Sequence, residues 1–344
     1  MPKGCRQCIR GSKLVLLITG LCSKGCFYCP LSAERRDKDV IFANEVEIEV
    51  QEQAIAEARM IDAEGMGVTG GEPLLNLQQT VSYIRAFKHE FGEEFHIHLY
   101  TAIDPISVDV VDQLIIAGLD ELRLHRFTAS EDLHEMQLIM RGRATLGYEI
   151  PAIPSRLEQM KNLLCELDEL NLDFVNINEL EFTPFNAEEL RRRGFQLEPD
   201  SVAAVKGSEE TAIALLEWAE ENTSLNVHFC PIKLKDGIQL RNRFRRRAKH
   251  VAKPFERITI EGLLMKGIII PPPTLTLKDA FDLLRSEYKI PEDQLWLNHE
   301  RSQLETSVLM IKRLARKLKL QGFRVGIAEE HPTDKRLQVT YTPL

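Results

Sequence analysis

Cys22, Cys26 and Cys29 stand as C-S-K-G-C-F-Y-C directly after a strand-like run, Lys13 to Thr19. Three thiols within eight residues can hold three irons of a four-iron cube, and a cube with three protein ligands leaves one iron open to another molecule. Zinc is the first competing reading. Structural zinc takes four closed ligands, usually as two short-spaced pairs, and a three-plus-two spacing on one loop fits that poorly. A disulfide fits worse, since nothing reads as a secretory signal and a reducing compartment keeps thiols free.

A second stretch, Thr69-Gly70-Gly71-Glu72-Pro73, follows another short apolar run, Met66 to Val68. Glycines let backbone approach a ligand that a side chain would block, and a carboxylate matches an ammonium. Either motif alone is weak; each after a predicted strand, about 40 residues apart, they form one strand-helix unit with its loops. With Tyr28 just before the third cysteine, the pair resembles the radical S-adenosylmethionine (radical SAM) superfamily. That resemblance implies a [4Fe-4S] cluster on the three thiolates, with SAM chelating the fourth iron. It also implies that Gly70, Gly71 and Glu72 meet the methionine amino group. A one-electron donor such as ferredoxin or flavodoxin would reduce the cluster, and a 5'-deoxyadenosyl radical would take hydrogen from substrate. Length and motif order most resemble the group related to pyruvate formate-lyase activating enzymes, which implies a protein substrate.

The elements that must position these motifs alternate. Strands are expected at Lys13 to Thr19, Met66 to Thr69, Phe95 to Thr101, Glu121 to Leu124, Gly147 to Ile153 and Phe174 to Phe182. Helical periodicity lies between them, at Val50 to Glu64, Leu77 to Phe91, Ser107 to Ala117, Glu131 to Met140 and Arg156 to Leu170. Such alternation gives an α/β fold with a parallel sheet; the resemblance makes it a partial (β/α)6 TIM-like barrel. Both motifs then follow strands, at the rim where barrel active sites are built. Further helices are expected at Pro199 to Asn222 and Ile238 to Val251, around a short run Leu225 to Phe229. Residues 254–344 read as a small C-terminal α+β domain of unassigned role, after a core of 1–253. Its expected parts are apolar runs at Phe255 to Ile260 and Leu263 to Ile270, helices at Leu277 to Tyr288 and Ser302 to Leu320, and strands at Arg324 to Ala328 and Leu337 to Tyr341.

Later strand ends carry further candidates. Thr101 matches a threonine common in the family, whereas the asparagine that often follows it is replaced by Ala102. His125-Arg126 stands where many relatives show serine and aspartate, and a surface or salt-bridged role weighs equally with a site role there. Glu149 sits where a fifth-strand polar residue commonly reaches the ribose. Asn176 and Asn178 alternate so that both face one side, and polar side chains in an apolar parallel strand need a partner or a purpose. Glu179 and Glu181 are weaker candidates. Cys165, on a helix, reads as a small buried hydrophobe. Cys5-Arg6-Gln7-Cys8 is a metal-type pair, and with Cys230 it could hold a second metal, zinc or an auxiliary cluster, with His228 as a fourth ligand; independent reduced cysteines are the alternative.

The 344 residues, 44% hydrophobic and 28% charged, suffice for a large core. No apolar stretch is long enough to span a membrane and no targeting segment is read, so the cytoplasm is the expected location. Lys and Arg against Asp and Glu give −17 over residues 1–240, +7 over 241–253 and +2 over 254–344. The seven cations Arg241, Arg243, Arg245, Arg246, Arg247, Lys249 and Lys253 would cover most of a helix circumference. They suggest either RNA phosphates or an acidic partner, against the plainer reading of a helix lying on acidic protein. An RNA-modifying radical SAM enzyme and a non-catalytic metal-binding protein are therefore the alternatives to action on a protein or peptide.

Overall fold

The computed structural model describes residues 1–344, which form two compact units, Met1–Leu240 and Arg241–Leu344. The division falls before the basic helix rather than after it, at 240/241 instead of the expected 253/254.

In the first unit a short helix α1 (Lys3–Ile9) precedes β1 (Lys13–Leu17), a hairpin β2 (Ile41–Ala43) and β3 (Val46–Ile48), and α2 (Gln51–Met60). There follow β4 (Gly65–Thr69), α3 (Leu77–Phe91), β5 (His96–Thr101), α4 (Val108–Ala117), β6 (Glu121–Leu124), α5 (Leu133–Met140) and β7 (Thr145–Ala152). The unit closes with α6 (Leu157–Glu169), β8 (Phe174–Glu179), α7 (Ala187–Arg192), α8 (Ser208–Asn222), β9 (Val227–Cys230) and a turn of helix, α9 (Ile232–Leu234). The sheet order is β3-β2-β1-β4-β5-β6-β7-β8-β9. From β1 to β9 every pair is parallel, and the β2–β3 hairpin joins β1 antiparallel. The two edges do not pair, so the barrel is partial, with seven parallel strands where six were expected. The seventh is the run ending at Cys230.

Along these strands alternate residues turn outward, as a period of two requires. Leu14, Leu16, Met66, Val68, Ile97, Leu99, Leu122, Leu124, Tyr148, Ile150, Val175 and Ile177 pack against the apolar stripes of the helices, among them Ile84 and Phe87 of α3 and Leu114 of α4. The inward row is polar: Lys13, His96, His98, Tyr100, Glu121, Arg123, Glu149, Asn176 and Asn178.

Three expectations change here. Residues 199–207 are turns and isolated bridges, Glu181 to Ala204 and Leu197 to Val205, and α8 begins only at Ser208. Residues Lys235–Leu240 wind as a π-helix rather than opening the basic helix. Both α1 and the β2–β3 hairpin lay outside the expected elements.

The second unit holds α10 (Arg241–Val251), β10 (Arg257–Ile258), β11 (Leu264–Ile270), α11 (Leu277–Ser286), β12 (Leu295–Asn298), β13 (Gln303–Thr306), α12 (Val308–Leu320), β14 (Arg324–Glu330) and β15 (Gln338–Pro343). Its sheet is antiparallel, ordered β12-β13-β11-β14-β15 with β10 beside β11. The helix expected from Ser302 is a strand, β13, before α12 begins after the Ser307 cap, whose side chain accepts from Met310 N. On one face α11 and α12 bury Ala280, Leu284, Ile311, Leu314 and Leu318 against Ile269, Leu304 and Val325. On the other, Lys266 Nζ lies 2.9 Å from Glu305, 2.7 Å from Glu330 and 3.7 Å from Glu256, all with side chains essentially buried.

The basic helix presents no all-round cationic surface. Phe244, Arg247 and Ala248 are buried, Arg247 bonds Pro332 O and Asp334 at 2.6 Å each, and of the seven cations Arg245 and Lys249 are exposed while Arg241, Arg243, Arg246 and Lys253 are half-buried. No helix is long and apolar enough to cross a membrane.

A buried cation among three buried carboxylates is costly to remove, because its partners stay behind as uncompensated charge. Lys266→Met should therefore destabilise the second unit by about 3–5 kcal/mol, read as a drop in urea midpoint. A loss below about 1 kcal/mol would mean that Lys253, Arg301 and Arg336 neutralise the cluster without it.

Candidate active site

One cavity of about 590 Å³ occupies the lumen of the first unit, lined by residues of all seven parallel strands, by α1 and by the loop after β1. Cys22, Cys26 and Cys29 line it, as do Tyr28, Gly70, Gly71, Thr101, His125, Glu149, Asn176, Asn178, Glu179 and Glu181. Glu72 and Arg126 do not.

The two motifs are joined through backbone. Gly71 N donates to Thr19 O at 2.7 Å and Glu72 N to Leu21 O at 2.8 Å. A Cβ on Gly70 would stand 2.4 Å from Thr19 O, and one on Gly71 2.2 Å from Leu21 O. Glycine is thus required at both positions for a close backbone approach, but to the chain entering the cysteine loop.

Glu72 has a different place from the one expected. Its carboxylate is buried and accepts from Thr101 Oγ1 at 2.8 Å, Ala102 N at 2.7 Å and Leu74 N at 3.1 Å. Burial pushes its carboxyl up, and these bonds oppose the rise. The residue clamps the end of β4 to the end of β5 instead of facing the cavity.

The cysteine loop rests on aromatic contacts. Tyr28 OH lies 2.8 Å from His125 Nε2, its ring meets His125 and Phe127 edge-on, and its carbonyl accepts from Asn186 Nδ2 at 3.0 Å. Burial pushes the Tyr28 phenol up and the Cys22 thiol up. His125 Nδ1 sits 2.7 Å from Glu149 O, and burial holds its imidazole below the usual range, so it is neutral at pH 7. Of the His125-Arg126 pair only His125 reaches the cavity. Arg126 is fixed by Asp132 at 2.9 Å, Asp104 at 3.3 Å and Ile103 O.

Deeper in the lumen, Glu149 accepts from Arg123 Nη1 at 2.6 Å and from Asn178 Nδ2 at 2.9 Å. Arg123 also bonds Glu121, donates to Tyr100 OH at 3.1 Å, and stands 3.5 Å from Cys5 Sγ. Lys13 Nζ donates to Gln7 Oε1 at 3.0 Å and His96 O at 2.9 Å, and lies 2.8 Å from His96 Nδ1. Burial lowers Lys13 to about 7 and His96 to about 2. Lys13, His98, Tyr100 and Arg123 line the cavity without having been expected there. The signal for them is the alternation H-I-H-L-Y in β5 and E-L-R-L-H through β6, polar on every second residue where a parallel strand is usually apolar on both faces.

No three His, Cys, Asp or Glu side chains converge on a point that could hold a single metal ion. The second metal expected at Cys5, Cys8 and Cys230, with His228 as a fourth ligand, is not shown. Cys230 ends β9 and accepts from Gln239 Nε2 at 3.6 Å. Burial raises the Cys5 thiol to about 12 and the Cys230 thiol to about 11. Cys165 is exposed rather than buried.

Two outcomes follow. Gly71→Ala should cost roughly 1–3 kcal/mol by overpacking and speed amide exchange at Gly71 and Glu72; unchanged exchange would mean the loop is held elsewhere. The imidazoles of His96, His98, His125 and His228 are all depressed by burial. Below about pH 6.5 the unfolded chain gains protons that the folded chain refuses, so stability falls from pH 7 to pH 5, by up to about 1.4 kcal/mol per pH unit for each fully buried ring. The raised Glu72 works in the opposite sense, and Lys13 acts only above about 7. His98→Gln should flatten the slope of urea midpoint against pH, and an unaltered slope would remove His98 from this account.

Residues 16–153 match the radical SAM superfamily, and residues 262–344 match a domain of unknown function, DUF8061. Among solved structures, SuiB of Streptococcus suis is similar at 12% identity and a TM-score of 0.45, covering 72% of this chain and 53% of that one. Coproporphyrinogen III oxidase (HemN) of Escherichia coli is similar at 13% identity and a TM-score of 0.37, covering 93% of each. A protein of Methanocaldococcus jannaschii named "Putative glycyl-radical enzyme activating enzyme" is 40% identical over 361 aligned positions, covering 100% of this chain and 93% of that one. With that likeness along its whole length and the superfamily's domain behind its two motifs, the chain belongs to the radical SAM superfamily, as an enzyme of the group related to activating enzymes.

Proposed function

We propose that Cys22, Cys26 and Cys29 hold a [4Fe-4S] cluster and that the chain makes a radical on a glycine of a partner protein. The observation that carries this reading is the single cavity on which the three thiols, the Gly70-Gly71 backbone and the inward strand ends all open. The donor set fits, since three soft thiolates on one loop suit iron. When bound, the cluster and SAM would supply a 5'-deoxyadenosyl radical able to abstract hydrogen, with electrons from a donor such as ferredoxin or flavodoxin.

What the chain itself does is bind, orient and exclude water. The Gly70 and Gly71 backbone flanks the cysteine loop and is the proposed seat of the methionine end of SAM. Glu149 and Asn178 are the proposed ribose contacts: a carboxylate has about four acceptor sites, so Arg123 and Asn178 leave Glu149 capacity for a hydroxyl. Arg123 Nη1 stands 2.6 Å from that carboxylate and holds it in place. Thr101 and Glu72 act by position, tying two strand ends together. Tyr28, bonded to neutral His125, braces the loop from behind.

A protein substrate rests on the name of the archaeal relative. The RNA alternative is weakened, because the basic helix spends Arg247 on Asp334 and Pro332 O, leaves Arg245 and Lys249 exposed, and holds Arg241, Arg243, Arg246 and Lys253 half-buried. A non-catalytic metal protein is disfavoured by membership in an enzyme family.

Anaerobically reconstituted protein given dithionite and SAM should form 5'-deoxyadenosine, and the Cys22, Cys26, Cys29 triple alanine variant should form at least a hundred-fold less. Glycyl-radical signal on an added partner protein, seen by electron paramagnetic resonance, would identify the hydrogen donor. Equal deoxyadenosine from wild type and variant would sink the assignment of these thiols.

A further inference from the structure

Three thiols in the lumen are not used by the reading above. Cys5 and Cys8 stand i, i+3 on α1 and so share a face. Cys230 ends β9, and all three line the cavity.

Their mutual placement follows from shared neighbours. Cys5 Sγ lies 3.9 Å from Asn176 Oδ1 on β8. In the adjoining strand Asn176 is opposite His228, and Asn178 is opposite Cys230. Gln239, which donates to Cys230, belongs to the π-helix, and that segment packs on α1. Two thiols from the helix and one from the last strand therefore border the same part of the lumen.

Two further observations point to a ligand there. His98 is 1% exposed, and its Nδ1 has no hydrogen-bond partner. A Cβ on Gly4, the residue before Cys5, would stand 2.5 Å from that nitrogen, so the ring lies directly against α1. A buried polar atom left without a partner is costly and calls for an explanation. Arg123 Nη2, 3.5 Å from Cys5 Sγ, adds a donor aimed at sulfur.

Thiolates are soft ligands suited to iron-sulfur clusters, whose separate iron corners each take one sulfur. We infer that the lumen floor binds a second iron-sulfur cluster through Cys5, Cys8 and Cys230, with the imidazoles of His98 and His228 as nitrogen donors lining the same cavity.

The test does not depend on turnover. The Cys22, Cys26, Cys29 triple alanine variant is reconstituted anaerobically with ferrous iron and sulfide, desalted over chelator, and assayed for iron, acid-labile sulfide and Mössbauer spectrum. Iron and sulfide should remain in matched amounts with a coupled-cluster spectrum, and both should be lost when Cys5, Cys8 and Cys230 are also replaced by serine. Cys230→Ser alone in the triple variant, with circular dichroism as the folding control, should alter the spectrum. No iron in the triple variant, adventitious iron only (iron without sulfide), zinc in its place, or iron and sulfide that persist in the combined variant would each overturn the proposal. The outcome is separable from the proposed function, since wild type can make deoxyadenosine with or without this second centre.

Discussion

Arg123 is a guanidinium with 1% exposure inside a barrel, and the rest of the lumen is arranged around keeping it paired. Glu121, Glu149, Tyr100 and Cys5 meet it from β6, β7, β5 and α1. An isolated charge at such depth would be untenable, whereas one bonded on every side fixes the elements that supply the bonds. Gln7, Lys13, His96 and Glu121 extend the network to the floor. A lumen satisfied in this way can stay polar and open instead of filling with branched apolar side chains, and that leaves room for a cofactor and a substrate residue.

Position at the rim comes from a different source. The close backbone approach of Gly70 and Gly71 to Thr19 and Leu21 makes the cysteine loop and the glycine turn one structural piece. Glu72 extends that piece to Thr101 and Ala102. Three strand ends, those of β1, β4 and β5, therefore move together, and a displacement at any of them would be felt by the thiols.

Much of this was legible in the sequence where local pattern and environment agree. The parallel strands β1 and β4 to β8 and the helices α2 to α6 follow from apolar runs and helical periodicity, and the two motifs fall at strand ends as their spacing requires. Other features were hidden because local pattern underdetermines them. The seven-residue α1 has no apolar stripe, and its burial rests on Gly4 fitting beneath His98. β13 reads Q-L-E-T, polar on the face where Glu305 meets Lys266, so its charge disguised a strand as the start of a helix. A motif likewise names a residue without saying which way its side chain turns, and that of Glu72 turns to Thr101 and Ala102.

The basic segment shows the same limit from the opposite side. Seven cations in thirteen positions suggest a surface, but a helix with Phe244 and Ala248 on one side must turn that side inward, and Arg247 goes with them. Its guanidinium then needs partners, which Asp334 and Pro332 O supply. In both units, charge that looks functional by composition is first committed to holding the fold. What can serve chemistry is the remainder: groups such as the thiols of Cys22, Cys26 and Cys29, which line the lumen and which the Arg123 network does not take up.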